Sequence, residues 1–295
     1  MPRYYTRACN FYFGKQSKIL VNKKQSIPLH QIKEISFDHV EIITRKKIRK
    51  ISINKIRNLP KKLKTKINSD LKKIRSKKSN FSNLNFKKIP NILGVLNLTP
   101  DSFSDGGKFN KKDKSIKQIS KMINFGAKII DVGGESTRPG SKTIDQITEW
   151  NRVKDVIKSF KKKNKKICLS LDTRKSDLML KGVRCGVDLI NDVSGFNYDK
   201  DSLNKIKKYK KVTKVLHHMK GTPNTMQKNP KYNNVLLDIY DYFEKKINED
   251  FDNKKIIVDP GIGFGKNLKH NLTLISKISL FHSLGFPILV GTSRK

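Results

Sequence analysis

Seven polar groups stand where chemistry could be done: Asn97, Asp131, Asp172, Asn191, the His217-His218 pair, Asp259 and the closing Ser293-Arg-Lys295. Each follows a short apolar run that reads as a β-strand. One Asp after a strand is usually a helix cap or turn former. A polar residue at the same end of every strand instead describes a ring at the mouth of a parallel α/β fold, where ligands sit. Asp172, Asn191 and Asp259, with Lys295, suit a flat heterocycle with a guanine-like edge. A carboxylate can accept two hydrogen bonds from an amino-pyrimidinone, and the lysine would face ring acceptors. Nearby Ser136-Thr-Arg-Pro-Gly140 pairs hydroxyls with an arginine, a combination fitted to phosphate. Asn97 could give one oxygen to Mg²⁺, which takes few protein ligands and shares phosphate oxygens.

Other signals are weaker. Gly261-Ile-Gly-Phe-Gly-Lys266 is one residue short of Walker spacing and reads as a tight turn that offers Phe264 for stacking. His217 and His218 are adjacent, so on a strand they point to opposite sides and cannot chelate one metal together. Trp150, Met219 and Met226 are ordinary packing residues by default.

The elements that must position these groups recur regularly from residue 91. Strand-like runs at 92–96, 128–132, 167–171, 187–190, 212–216, 255–258 and 287–290 alternate with amphipathic segments at 114–125, 145–162, 175–184, 200–209, 233–251 and 269–284. This is the pattern of parallel strands joined by right-handed crossovers. It predicts an α/β fold, a (β/α)₈ TIM barrel lacking its eighth strand and last helices, because the sequence stops at Gly291-Thr-Ser-Arg-Lys295; truncation at the carboxyl end is the expectation. No Gly-x-Gly-x-x-Gly follows the first strand, which disfavours a dinucleotide fold. The run Leu93–Leu96 reads as a strand buried on both faces.

Residues 1–78 read as a basic α+β extension. It has short strands at 19–21, 35–37 and 40–43 and a helix with Leu59, Leu63, Ile67, Leu71 and Ile74 on one stripe, Pro60 falling near its start. Residues 79–90 read as a linker and 91–295 as the barrel.

Net charge is +40, from 65 Lys and Arg, of which 11 are Arg, against 25 acidic residues. The lysines run through the whole chain with much Asn and Ile. Specific nucleic-acid recognition would more often use clustered Arg with exposed aromatics, so a nucleic-acid partner is not expected. Three separated cysteines suggest neither a disulfide framework nor a metal site. No signal peptide or spanning run is seen, so the expected location is the cytoplasm.

The chain resembles the dihydropteroate synthase family over roughly 91–295. The resemblance rests on Asn97-Leu-Thr-Pro-Asp-Ser-Phe-Ser-Asp-Gly-Gly107, Asp131-Val-Gly-Gly-Glu-Ser-Thr-Arg-Pro-Gly140, Asp172-Thr-Arg-Lys175, Ile190-Asn-Asp192, Asp259-Pro-Gly-Ile-Gly-Phe-Gly-Lys266 and Ser293-Arg-Lys295. It implies condensation of 6-hydroxymethyl-7,8-dihydropterin diphosphate with p-aminobenzoate to 7,8-dihydropteroate and pyrophosphate, in a sulfonamide-target enzyme using Mg²⁺. It further implies that Asp172, Asn191, Asp259 and Lys295 hold the pterin, lined by Phe264 and Met219. Asn97 would share Mg²⁺ with the diphosphate, Thr137 and Arg138 would contact that leaving group, and Asp105 would face the developing cation. Phe103 and Pro139 would wall the aminobenzoate. His217 departs from the family, which usually has an apolar residue there. The family is usually a homodimer, to which its final helices, not present here, contribute. A non-catalytic pterin-binding remnant and a pterin-dependent methyltransferase relative are the alternatives.

Overall fold

The computed structural model describes residues 2–82, 84–87, 89–99, 111–138, 140–164, 166–251 and 255–292. By its contacts the chain divides into two compact units. One comprises Met1–Ser79, Lys231–Lys246 and Leu268–Ile288; the other comprises Asn80–Pro230, Ile247–Asn267 and Leu289–Lys295.

In the first unit, strand β3 (Ile32–Ile43) is the shared antiparallel partner of β1 (Tyr5–Phe13), β2 (Ile27–Leu29) and β4 (Ile48–Ser52). The runs expected as two strands at 35–37 and 40–43 are thus one. The run 19–21, also expected as a strand, lies in helix α1 (Gly14–Asn22). A three-residue apolar run carries no period of its own, so it cannot separate the two conformations. Helix α2 (Lys61–Arg75) follows the anticipated stripe: Ile67, Leu71 and Ile74 are buried against Ala8, Phe37, Val40 and Ile51.

Segments 231–246 and 268–288, expected in the barrel, belong to this unit too. Tyr5 donates from its hydroxyl to Asp241 Oδ1 at 2.8 Å, Arg45 bridges Asp238 and Asp241 at 2.7 and 2.6 Å, and Ser279 Oγ donates to Ala8 O at 2.8 Å. Here lie most of helix α7 (Val235–Asp250), α8 (Leu268–Ser276) and the 3₁₀ turn Ile278–Leu284.

The second unit holds a parallel sheet, in chain order β5 (Ile92–Asn97), β6 (Ala127–Gly133), β7 (Cys168–Asp172), β8 (Leu189–Asp192), β9 (Thr213–His217) and β10 (Ile256–Asp259). Helices α3 (Lys111–Asn124), α4 (Gln146–Lys163), α5 (Ser176–Arg184) and the short α6 (Ser202–Ile206) form the crossovers. Six strands are assigned among the described residues, where seven were expected. The segment 287–290 joins the sheet through Leu289 N, which donates to Val258 O at 2.9 Å, without forming a full ladder. Strand β5 is not buried on both faces as expected. It ends the strand order, and Ile92 and Val95 are more than half exposed.

One apolar layer closes the amino-terminal end of this sheet: Ile129, Cys168, Leu189, Val215 and Ile257, with Leu93 and Leu289 packed on it. Leu84, 2% exposed, inserts beneath, flanked by Phe81 and Phe86. The stretch read as a linker is therefore packed, because the apolar strand starts need a cover.

Candidate functional site

Side chains two residues apart on a strand share a face. The apolar layer therefore dictates what lies above it. Two residues beyond Ile129, Cys168, Leu189, Val215 and Ile257 come Asp131, Ser170, Asn191, His217 and Asp259, all turned the same way; two beyond Ser170 comes Asp172. Register carries the row across the sheet: Asn97 pairs with Gly133, Gly133 with Asp172, and Asp172 with Asn191, while His217 pairs with Asp259.

Gly133 lies between two of the predicted groups. A Cβ there would stand 3.5 Å from both Asn97 Oδ1 and Asp172 Oδ2, so the missing side chain keeps the space between them open. Asn191 donates from Nδ2 to Asp131 Oδ2 at 2.8 Å. Asp131 Oδ1 and Asn191 Oδ1 are buried and unpaired among the described residues, as is the hydroxyl of Ser170, the residue paired with Asp131 and near enough to counter part of the burial effect on its carboxyl. Two buried acceptors side by side are costly unless a donor reaches them. Burial pushes the Asp131 carboxyl up, and burial followed by the charge of Asp131 pushes Asp172 well above the usual carboxylate range. Two carboxyls so placed resist ionising together, which favours a ligand rich in N–H donors.

On the other side, Asp259 is buried and its Oδ1 accepts from Gly261 N at 2.8 Å. His217 is the histidine turned toward the opening. Its Nδ1 donates to Val193 O at 2.9 Å, which places Nε2 3.9 Å from Asp259 Oδ2. Phe264 stands edge-on to the His217 ring with centroids 4.7 Å apart. The loop from 261 to 266 is a tight turn, as expected. Gly261, Gly263 and Gly265 all have positive φ, and a Cβ on Gly261 would come within 2.1 Å of His218 O. Lys266 is a staple of this turn, donating to Phe264 O at 2.9 Å and His218 O at 3.1 Å; burial lowers its pKa to about 7.

Asp192, adjacent in sequence to Asn191, faces the other way and accepts from Ser194 N and Phe196 N at 2.7 and 3.1 Å, closing a turn. Met219 is partly buried in the loop after β9, Thr137 is partly buried and Arg138 and Asn97 are exposed. Phe103, Asp105, Pro139 and Lys295 lie outside the described residues. Among the described residues no group of three His, Cys, Asp or Glu is placed to hold a metal. A lone Asn97 oxygen still fits an ion that keeps most of its shell for water and phosphate.

Four charged groups to which the sequence pattern assigns no role meet beside this row. Glu135 Oε2 accepts from Arg174 Nη2 at 2.6 Å and Oε1 from Lys175 Nζ at 3.2 Å; Lys175 also pairs with Glu149. All four side chains are at most 10% exposed. The available signal was Glu149. It shares the buried face of α4 with Val153, Val156, Ile157 and Phe160, where a carboxylate needs a partner.

The family described as "Pterin binding enzyme" matches residues 93–295. The dihydropteroate synthase of Clostridium beijerinckii is 42% identical over 208 residues, covering 69% of this chain and 74% of that enzyme. Among solved structures, a Yersinia pestis dihydropteroate synthase in a sulfonamide drug complex is 38% identical, with a TM-score of 0.65 and coverage of 70% and 75%. The Xanthomonas albilineans dihydropteroate synthase with 4-aminobenzoic acid is 33% identical, with a TM-score of 0.64 and coverage of 70% and 74%. A row of polar groups at the strand ends and a family match across the same residues agree: this chain belongs to the pterin-binding enzymes, among the dihydropteroate synthases.

Proposed function

We propose that the chain joins 6-hydroxymethyl-7,8-dihydropterin diphosphate to p-aminobenzoate, giving 7,8-dihydropteroate and pyrophosphate, with the pterin gripped between Asp172, Asn191 and Asp259. The observation that carries this reading is the pair of buried acceptors, Asp131 Oδ1 and Asn191 Oδ1, in one row with Asp172. A pterin's amino-pyrimidinone edge is a flat set of N–H donors that would satisfy them. Asp131 therefore joins the site as the group that orients Asn191. Phe264 and Met219 would line the ring's faces, and Lys295 would meet its acceptor atoms.

Asn97, Thr137 and Arg138 would face the diphosphate. Asn97 would offer its carboxamide oxygen to Mg²⁺, which when bound offsets the negative charge of the leaving group. As the carbon–oxygen bond opens, the electron-rich pterin carries the developing cation and Asp105 would face it. Phe103 and Pro139 would wall the aminobenzoate, whose neutral amine attacks without needing a strong base. No described helix is long and apolar enough to cross a membrane. The three cysteines are free thiols, in keeping with a cytoplasmic place for the reaction.

Asp259→Ala tests the assignment. Calorimetry should show loss of binding of the pterin diphosphate and assays should show loss of turnover, with the circular dichroism spectrum retained. Parental affinity in that variant would overturn the assignment.

A further inference from the structure

Glu135 does two things at once. Its Oε1 accepts from the backbone N of Ile144 at 3.0 Å, so one side chain closes the loop 135–144 on itself. Its Oε2 accepts from Nε and Nη2 of Arg174 at 3.2 and 2.6 Å, which ties that loop to the residues just after Asp172. Lys175 links the same carboxylate to Glu149 at the start of α4, and Arg152 of α4 donates to Gly134 O at 2.8 Å. Within the loop, Ser141 Oγ donates to Ser136 O at 2.6 Å and Ser141 N to Arg138 O at 3.1 Å, while Gly140 N reaches Pro223 O at 3.3 Å. Thr137 and Arg138 therefore sit on a short turn whose root is fixed at every side.

Fold stability is a poor account of this arrangement. Four charged side chains have been taken out of water, and well-packed apolar residues in place of a buried ion pair are often equally or more stable. Burial works against the Glu135 charge, yet Arg174, the Ile144 amide and Lys175 outweigh it and hold its carboxyl below the usual range. Burial pushes Glu149 the other way, with Lys175 opposing it. What the four groups do fix is the root of the loop: the shared carboxylate ties residues 135 and 144 to Arg174 and Lys175, the second and third residues after Asp172.

We propose that Glu135, braced by Arg174, Lys175 and Glu149, is a positioning residue for the leaving diphosphate, holding the Thr137–Arg138 turn in register with the strand end that grips the pterin. This rests on the reading above, in which that turn faces the diphosphate. Displacement of a substrate-contacting group by an ångström can cost about a hundredfold in rate, so a loosened root should be felt in the chemistry.

The test is Glu135→Gln, which keeps shape while removing the charge that collects two cations. Two probes are compared by calorimetry, 6-hydroxymethyl-7,8-dihydropterin diphosphate and the same pterin without its diphosphate, alongside steady-state kinetics. The diphosphate compound should bind roughly 10- to 100-fold more weakly, with a matching fall in kcat/KM, while the pterin alcohol stays within about twofold. Equal weakening of both probes would mean a merely structural role, and no weakening of either would remove the role altogether; both results overturn the proposal. Glu149→Gln leaves Lys175 one carboxylate and should give the same split at smaller size, which decides the matter should Glu135→Gln not fold. Arg138→Ala separates the two levels of inference. If it leaves diphosphate affinity intact, the turn does not face the diphosphate and the underlying reading fails. If it weakens that affinity while Glu135→Gln does not, only the positioning role fails.

Discussion

The two units bury polar groups in opposite ways. In the first, buried groups face partners from the same unit: Thr6 donates to Asp70 at 2.7 Å, Lys66 reaches the same carboxylate at 2.6 Å, and Ser17 Oγ donates to Lys33 O and Ser26 Oγ to Ser36 Oγ, both at 2.8 Å. In the second, Asp131 and Asn191 satisfy each other once and leave an acceptor apiece. The first pattern tightens a fold, since these donors meet their acceptors without outside help; His30 Nδ1 is the buried atom of this unit left without a partner among the described residues. The second gives up some stability, and under the proposed function that is the cost of keeping acceptors ready for the pterin.

One variant should separate affinity from stability. Asp172→Ala should weaken dihydropterin binding by about a hundredfold, because a charge-assisted contact is lost. Its melting temperature should not fall, because the carboxyl removed is one that burial and Asp131 already oppose. A clear drop in melting temperature would break the comparison. In the first unit the result should be reversed. Ile67, fully buried in its core, cut to Ala should cost about 2–5 kcal/mol in a urea titration. Pterin affinity of the folded fraction should be unchanged.

A smaller effect sharpens the contrast through pH. Burial first, then their neighbours' charge, lowers His30 from 6.5 to about 3 and His282 to about 4. The unfolded chain takes up those protons near 6.5, so the first unit should lose stability as pH falls from about 6.5 toward 4. Burial raises Asp192 of the second unit from 3.8 to about 6. There the folded form takes the proton first, so Asp192 adds stability as pH falls through 6 and offsets the loss from His218 of the same unit, which burial holds well below 6.5. Hydrogen exchange at pH 7 and pH 5 should therefore show amides of β3 losing more protection than those of β8. An equal or larger loss in β8 would refute the assignment.

Much of this was legible in the chain. The strands of the parallel sheet fell within a few residues of their apolar runs, and their polar ends do form a row, because a period of two fixes which residues share a face. The α2 stripe was legible for the same kind of reason, with four turns of helix repeating one side. What escaped was non-local. Nothing in Ile19–Val21 separates helix from strand. Nothing in segments 231–246 and 268–288 announces that their partners are Tyr5, Arg45 and Ala8, far away in the chain. Glu135, Arg174 and Lys175 were visible as motif letters, but their meeting is a tertiary event. Val95 read as buried because hydropathy registers a residue's own character and not whether a neighbouring strand will cover it.

The wedge formed by Phe81, Leu84 and Phe86 has a practical bearing on how this enzyme can be dissected. Sequence similarity begins at residue 93, which invites a fragment starting there. Such a fragment would leave the lower ends of the strands wet and greasy at once, exposing Ile129, Leu189, Val215 and Ile257 to association with other chains. A cut made ahead of Asn80 keeps that plug but strips segments 231–246 and 268–288 of Tyr5, Arg45 and Ala8, so both buried faces stay covered only when the amino-terminal residues are kept as well.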